Sequence, residues 1–153
     1  MSRIGVISDT HRLARPEVLA ALDGVEHIIH AGDIGSPSVI GELRRIAPVT
    51  AIRGNVDTGD WAQQYPESAV VERDEVMIYV IHNIDNLALD PHTAGFSAVI
   101  FGHSHSPLQE MRKGILYFNP GSAGPRRFHL PVAIGFITIH GRQISTEILT
   151  LEV

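Results

Sequence analysis

The chain has 153 residues, 44% of them hydrophobic and 19% charged. That fits one domain, residues 1–153, with its own core, and excludes disorder as the main state. The formal net charge of −5 argues against a general nucleic-acid coat, and the absence of cysteine excludes disulfide frameworks, thiolate zinc sites and cysteine nucleophiles. The N-terminus lacks a signal-like apolar segment, and no run approaches the ~18–20 apolar residues of a membrane span. The expectation is a soluble cytoplasmic protein without a membrane partner.

Taken in chain order, Arg3–Ser8 is a short run rich in Ile and Val, as a buried strand should be. Pro16–Leu22 reads as a helix opened by proline and closed by Gly24, and Glu26–Ala31 as a second strand. Ser36-Pro37 supplies an N-cap and a first-turn proline for a helix through Val39, Ile40, Leu43 and Ile46, stopped by Pro48. Val49–Arg53 is a third strand. This β-α-β-α-β order implies parallel strands with right-handed crossovers. The second half is mostly strands: Val76–His82, Ala98–Phe101, Leu108–Arg112, Ile115–Asn119, Val132–His140 and Gln143–Leu151. Helical signal there is limited to a short stretch around Asp85–Thr93. Lys113-Gly114 and Gly141-Arg142 read as two-residue hairpin turns. Parallel pairing early and antiparallel pairing late predict an α/β sandwich of two mixed sheets with helices outside.

The chemistry-bearing residues gather where these strands end. Asp9 and His11 follow the first strand, Asp33 the second and Asn55 the third; His82, then His103 and His105, close later ones. Ligands bind at the carboxyl edge of open α/β sheets. Carboxylates and imidazoles without thiolates suit Mn²⁺, Fe²⁺, Zn²⁺ or Ni²⁺. Seven such residues exceed the needs of one ion and suit two if one carboxylate bridges. Asp9-x-His11 and His103-x-His105 would each point to one face if they continued a regular strand. Gly32, Gly54 and Gly102 fit close backbone approach or left-handed turns at a crowded centre. An isolated strand-end Asp is usually a turn former and a lone His usually a surface or core residue. His27, His92, His129 and His140 are read that way, whereas His30 is expected to hold a ligand through its ring N–H.

The ordered series SDTH (8–11), HAGD (30–33), RGNVD (53–57), His82, GHSH (102–105) and NPGS (119–122) resembles the calcineurin-like metallophosphoesterases, and more narrowly the small YfcE-type phosphodiesterases. The resemblance implies a four-layer α-β-β-α sandwich. It implies that Asp9, His11 and His105 hold one divalent metal ion, that Asn55, His82 and His103 hold a second, and that Asp33 bridges them. Manganese is the first expectation for the two ions, with Ni²⁺, Fe²⁺, Zn²⁺ or Mg²⁺ as alternatives. It further implies hydrolysis of a small phosphoester, most simply a diester, by in-line attack of a metal-bridging hydroxide. Asp33, Asn55 and His103 would then be catalytic, with Asn55 also touching the phosphate.

Three departures stand out. Val56 occupies the place where many relatives carry a leaving-group histidine, though YfcE-type sequences commonly lack it. The usual His-Gly-His is His82-Asn83-Ile84. Arg12 replaces the Gly that usually follows SDTH, and as a substrate-binding residue it would reach a phosphate oxygen. Asn119–Ser122 and Pro125-Arg126-Arg127 are expected to buttress the metal loops. The alternative function is a non-catalytic protein-binding scaffold of the Vps29 type. A nuclease of the DNA-repair branch ranks below both, because the chain offers no domain to grip a duplex. Homo-oligomerisation is left open.

Overall fold

In the computed structural model, which describes residues 1–153, the first apolar run becomes β1 (Ser2–Ile7), whose last four residues are buried. It lies parallel to β2 (His27–His30), which lies parallel to β3 (Val49–Ala51). The long C-terminal hairpin, β9 (Val132–His140) and β10 (Gln143–Leu151), adds antiparallel to the other side of β1. The first sheet therefore runs β10-β9-β1-β2-β3. Its crossovers are helices α1 (Pro16–Ala21) and α2 (Pro37–Arg44). Ser36 caps α2 as its sequence requires, its Oγ accepting from the Ser38 N–H at 3.3 Å.

The second sheet runs β4-β5-β6-β8-β7, from β4 (Ser68–Arg73), β5 (Val76–Ile81), β6 (Ala98–Ile100), β7 (Leu108–Arg112) and β8 (Ile115–Asn119). Strands β5, β6 and β8 are parallel, and β4 and β7 close the two edges antiparallel. The Lys113-Gly114 turn has both residues at positive φ, as a type I′ hairpin needs. Strand β4 carries too weak an apolar signal to stand out in the sequence. It is an edge strand with only Val71 buried, and it turns into β5 through Asp74-Glu75 without a glycine, Asp74 itself taking φ 50°.

The two sheets face each other across one core. Ile4, Val6, Ile29 and Ile137 of the first meet Ile78, Val80, Ile100 and Phe118 of the second. Val18, Leu22, Val39, Ile40 and Leu43 press α1 and α2 onto the outer face of the first sheet. The outer face of the second sheet is covered more thinly. Val99, Phe101 and Ile115 pack there with Tyr79 and Ile84. The helical stretch expected around Asp85–Thr93 splits into a 3-10 turn (Ile84–Asn86) and the four-residue α3 (Pro91–Ala94). This is the expected four-layer sandwich of two mixed sheets with its last layer reduced. No helix is long and apolar enough to cross a membrane.

The inner face admits one residue without a side chain. A Cβ on Gly135 of β9 would lie 2.5 Å from two ring carbons of the fully buried Phe118. Gly135→Ala should therefore overpack the core and lower the unfolding free energy by about 1–3 kcal/mol. A urea midpoint that falls at unchanged m-value checks this.

Candidate metal centre

The strands end early because their last residues leave the ladder to build loops. Those loops are zipped to one another: the N–H groups of Asp9, His11 and Arg12 donate to the carbonyls of Gly32, Asp33 and Ile34 at 2.9–3.0 Å. Across the sandwich, the Gly102 N–H donates to the His82 carbonyl at 2.9 Å. The expected pairs converge by a different route from strand alternation. Asp9, His11, Asp33, His103 and His105 all sit at positive φ, between 44° and 72°. Each left-handed residue costs on the order of 1 kcal/mol, and such strain clusters at functional sites. Of the three glycines, Gly32 has φ 101°, while a Cβ on Gly54 or Gly102 would collide with Asp33 or Ser8 respectively.

The structure brings six of the seven expected metal residues into two groups. Asp9, His11 and His105 form one, and Asp33, His82 and His103 the other; within each group the ligand atoms lie within 4.8 Å of one another. The groups adjoin at Asp33, whose Oδ2 is 3.6 Å from His11 Nε2 and 3.2 Å from His82 Nε2. Asp9 Oδ1 is 3.4 Å from His105 Nε2 and 3.9 Å from His82 Nε2. Asn55 is exposed and stands at the rim, lining a cavity together with His82. Arg12 is exposed on the loop that carries His11, anchored through its own backbone N–H.

One oxygen of each carboxylate accepts from a backbone N–H and the other turns toward the imidazoles. Asp9 Oδ2 accepts from Ser8 Oγ at 2.8 Å and from the His103 N–H at 3.1 Å. Asp33 Oδ1 accepts from the Val56 N–H at 3.1 Å. His82 donates Nδ1–H to the Ala31 carbonyl at 2.7 Å, which leaves Nε2 as the free lone pair. At the centre Asp9 Oδ1, His11 Nε2 and His82 Nε2 are buried with no hydrogen-bond partner, and His105 turns Nε2 toward Asp9 Oδ1. Leaving such an atom unmatched costs about 1–3 kcal/mol. Cations would satisfy them together, so the residues present fit divalent metal ions.

The titration behaviour points the same way. Burial pushes the Asp9 carboxyl up. Burial also opposes ionisation of Asp33, but His82, the Val56 N–H and His11 together outweigh it and hold that carboxyl down at about 2. Burial disfavours the His82 imidazolium, yet Asp33, the Ala31 carbonyl and Asp9 together more than compensate and push it up. Burial, then the charge of Arg127, lowers His105 to about 4.

His30 does not touch a ligand side chain. Its Nδ1 accepts from the Gly32 N–H at 3.1 Å, so neutral His30 carries its proton on Nε2 and gives it to Thr10 Oγ1 at 3.0 Å. It thus ties the two loops together instead of orienting a ligand ring. The buttress expected of Asn119 and Ser122 is present: Asn119 Nδ2 donates to the Gly102 carbonyl at 3.1 Å, and Ser122 Oγ donates to the Asp9 carbonyl at 3.0 Å. Arg126 and Arg127 are exposed and make no such bond. Arg15 does, donating to the Gly124 carbonyl through Nε and Nη2 at 3.3 and 3.2 Å. His27 bonds Thr50, and His92, His129 and His140 are exposed outside both groups.

Two residues of the 53–57 stretch matter more than their sequence suggests. Buried Asp57 accepts from the N–H groups of Ile34, Gly35 and Gly54 at 2.9–3.0 Å, joining the loops that carry Asp33 and Asn55. A carboxylate just after Gly-Asn was the available signal. Arg53 lines the cavity beside Asn55 and His82, its Nη2 3.4 Å from Glu67 Oε1.

Fold and site together define an α/β sandwich whose strand-end carboxylates and imidazoles can hold two metal ions. The chain belongs to the calcineurin-like phosphoesterase superfamily, whose domain matches residues 2–142. A probable metallophosphoesterase of Methanothermobacter thermautotrophicus is 33% identical over 158 residues, covering 95% of this chain and 91% of that protein. A phosphodiesterase of Methanocaldococcus jannaschii is 29% identical over 138 residues, covering 78% of this chain and 82% of its own length. Vacuolar Protein Sorting 29 of Cryptosporidium parvum superposes with a TM-score of 0.84 over 99% of this chain and 92% of its own; at 19% identity that likeness shows the fold alone.

His30 also makes the metal-free protein sensitive to acid. Burial, reinforced by the neighbouring His82 charge, lowers His30 from 6.5 to about 3, so between those values the unfolded chain binds a proton that the folded chain refuses. Stability therefore falls with pH across that window. In chelator, His30→Gln should lose less stability than wild type between about pH 7 and about pH 5, read from urea unfolding at each pH. Parallel slopes in the two proteins would mean that His30 is not held neutral.

Proposed function

We propose that the chain is a dimetal-dependent phosphodiesterase acting on small phosphodiesters. The observation that carries this reading is the set of three buried, unpartnered atoms, Asp9 Oδ1, His11 Nε2 and His82 Nε2, gathered with Asp33, His103 and His105 into two adjoining groups. Asp9, His11 and His105 would hold one ion, Asn55, His82 and His103 the other, with Asp33 shared. Two divalent ions supply Lewis acidity toward phosphoryl oxygens and make water a nucleophile near neutral pH. Manganese is the first ion to test, followed by Ni²⁺, Fe²⁺, Zn²⁺ and Mg²⁺.

The chain's own residues set the geometry. The Val56 N–H fixes one oxygen of Asp33 and so aims the other between His11 and His82. Asn55, exposed at the rim beside His82, is placed to donate to a phosphate oxygen of the substrate. Arg12, one residue beyond His11, supplies a guanidinium for a second oxygen. His103 stands at the exposed side of its group, its ring centroid 5.3 Å from that of His82, where a substrate would arrive. The reading includes a cytoplasmic location and a small-molecule substrate. The scaffold alternative rests on likeness of fold.

A panel of phosphoesters assayed after chelation and reloading with each metal separates the two readings. Elemental analysis should approach two ions per chain, and Asp33→Asn should lose both. Turnover of bis(p-nitrophenyl) phosphate should drop at least ~10²-fold in His103→Ala and in His105→Ala, because misplacement on the order of 1 Å is enough to disrupt attack. His140→Ala, exposed at the far end of β9, should stay active. Full activity at one ion per chain would sink the dinuclear reading; no hydrolysis with any metal, together with binding of a protein partner, would favour the scaffold.

Val56 is half-exposed and cannot protonate a leaving group. Rates should therefore depend steeply on leaving-group pKa, aryl diesters far outpacing alkyl ones in initial-rate assays. Comparable rates would reveal an acid elsewhere in the site.

A further inference from the structure

Beside His82 and Asn55 the surface opens into a cavity of about 460 Å³. That lies within the ~300–1,000 Å³ range of small-ligand sites, but its lining is unusual, since such sites are mostly apolar. Here the walls are Arg53, Tyr79, Asn83 and Asn86, continuous with Asn55 and His82 of the metal site.

These groups are held in place and have hydrogen bonds to spare. Asn83 is the residue that replaces the glycine of the usual His-Gly-His. Its Oδ1 caps the 3-10 turn by accepting from the Asp85 N–H at 3.0 Å, which orients the amide and leaves its two N–H donors unbonded. Asn86, at the end of that turn, makes no side-chain hydrogen bond. Arg53 is anchored by its backbone N–H on the Pro66 carbonyl at 2.8 Å. Its guanidinium faces Glu67, whose side chain is 85% exposed, so the ion pair holds it weakly. Tyr79 is fixed from behind by Phe96, ring centroids 5.2 Å apart. The cavity thus offers flat amide and guanidinium edges, with Arg53 and Glu67 cancelling in charge. An alkyl arm seated there would strand those donors, whereas a flat arm with its own acceptors would pair with them.

We propose that this cavity seats the retained ester arm of the diester, and that the arm is of the nucleoside class, its base edge read by Asn83 and Arg53. The inference rests on the phosphodiesterase reading and names its substrate class. Asn83 and Arg53 are specificity-determining residues in it, apart from the groups that act on phosphorus.

Two esters with the same leaving group isolate the arm: thymidine p-nitrophenyl phosphate and methyl p-nitrophenyl phosphate. The manganese-loaded protein should favour the thymidine ester at least ~10-fold in kcat/KM, the difference lying in KM. Asn83→Ser, which keeps a residue able to cap the turn, and Arg53→Met, which keeps the length of the stem, should each cut that preference at least ~10-fold. Calorimetry with thymidine monophosphate gives a readout independent of turnover, and its affinity should weaken in both variants. Equal kcat/KM for the two esters in wild type, or a preference and affinity unchanged in both variants, would overturn the nucleoside assignment while leaving the phosphodiesterase standing. Failure to hydrolyse either ester with any metal would overturn both.

Discussion

Two carboxylates, Asp9 and Asp33, lie buried at the carboxyl edges of two apolar sheets with no Lys or Arg bonded to either. Burying charge without a partner is among the most costly things a fold can do. The surrounding side chains are imidazoles, which cannot all be protonated at once in so small a volume. The tension acts on each group in turn: burial pushes Asp9 up, His82 and its neighbours hold Asp33 down, and Asp33, Ala31 and Asp9 push His82 up. Divalent cations would relieve the whole set. Much of the local architecture follows from having to keep this cluster assembled before that happens.

Hydrogen bonds do the assembling, and they act on the far side of each ligand. Ser8 and the His103 N–H hold Asp9 by one oxygen, Val56 holds Asp33 by one oxygen, and Ala31 holds His82 by one nitrogen. The remaining atom of each is thereby aimed inward. Behind these contacts stands a further shell in which His30, Asp57, Asn119, Ser122 and Arg15 bond mostly to loop backbone. Five left-handed residues can persist because this shell over-determines the backbone around them. Glycine would adopt those angles more easily, but it carries no ligand atom. The strain is the consequence of requiring an Asp or a His at each turn.

The sequence made the sheets legible because their cores alternate or run continuously apolar: β1, β5, β8 and β9 could hardly be anything else. It made the ligands legible because Asp and His are conspicuous just after such runs. What it hid were features whose signal lies in tertiary contact. Strand β4 exists because β5 offers it an edge, and of its Ala69-Val70-Val71 run only Val71 is buried. Asp57 looks like an ordinary turn residue until its three backbone donors, drawn from two loops some twenty positions apart, are seen together. His30 was placed near the centre correctly, yet its partner is a threonine hydroxyl between two ligands, which no spacing rule could single out. The convergence of Asp9 with His11, and of His103 with His105, was anticipated from strand alternation and is achieved by left-handed turns.

An acidic chain is a poor match for a phosphodiester only if net charge is taken as uniform. At physiological salt, charges farther away than about 8 Å are largely screened, so the −5 total matters less than what lies beside the site. There the arginines gather: Arg12 follows His11, Arg53 lines the adjoining cavity, and the charge of Arg127 is felt by His105. The carboxylates at the centre, which would otherwise repel a phosphodiester, are the groups that divalent ions would neutralise. In the proposed reading, the ions would supply positive charge between the carboxylates, and Arg12 would supply it at the approach. The planar Arg12 guanidinium would pair with a phosphate oxygen without competing for the oxygen and nitrogen atoms that face the metal groups. A cationic side chain inserted between Asp9 and Asp33 would cure the electrostatic problem of the metal-free protein, and in doing so would remove the reason for metal to bind.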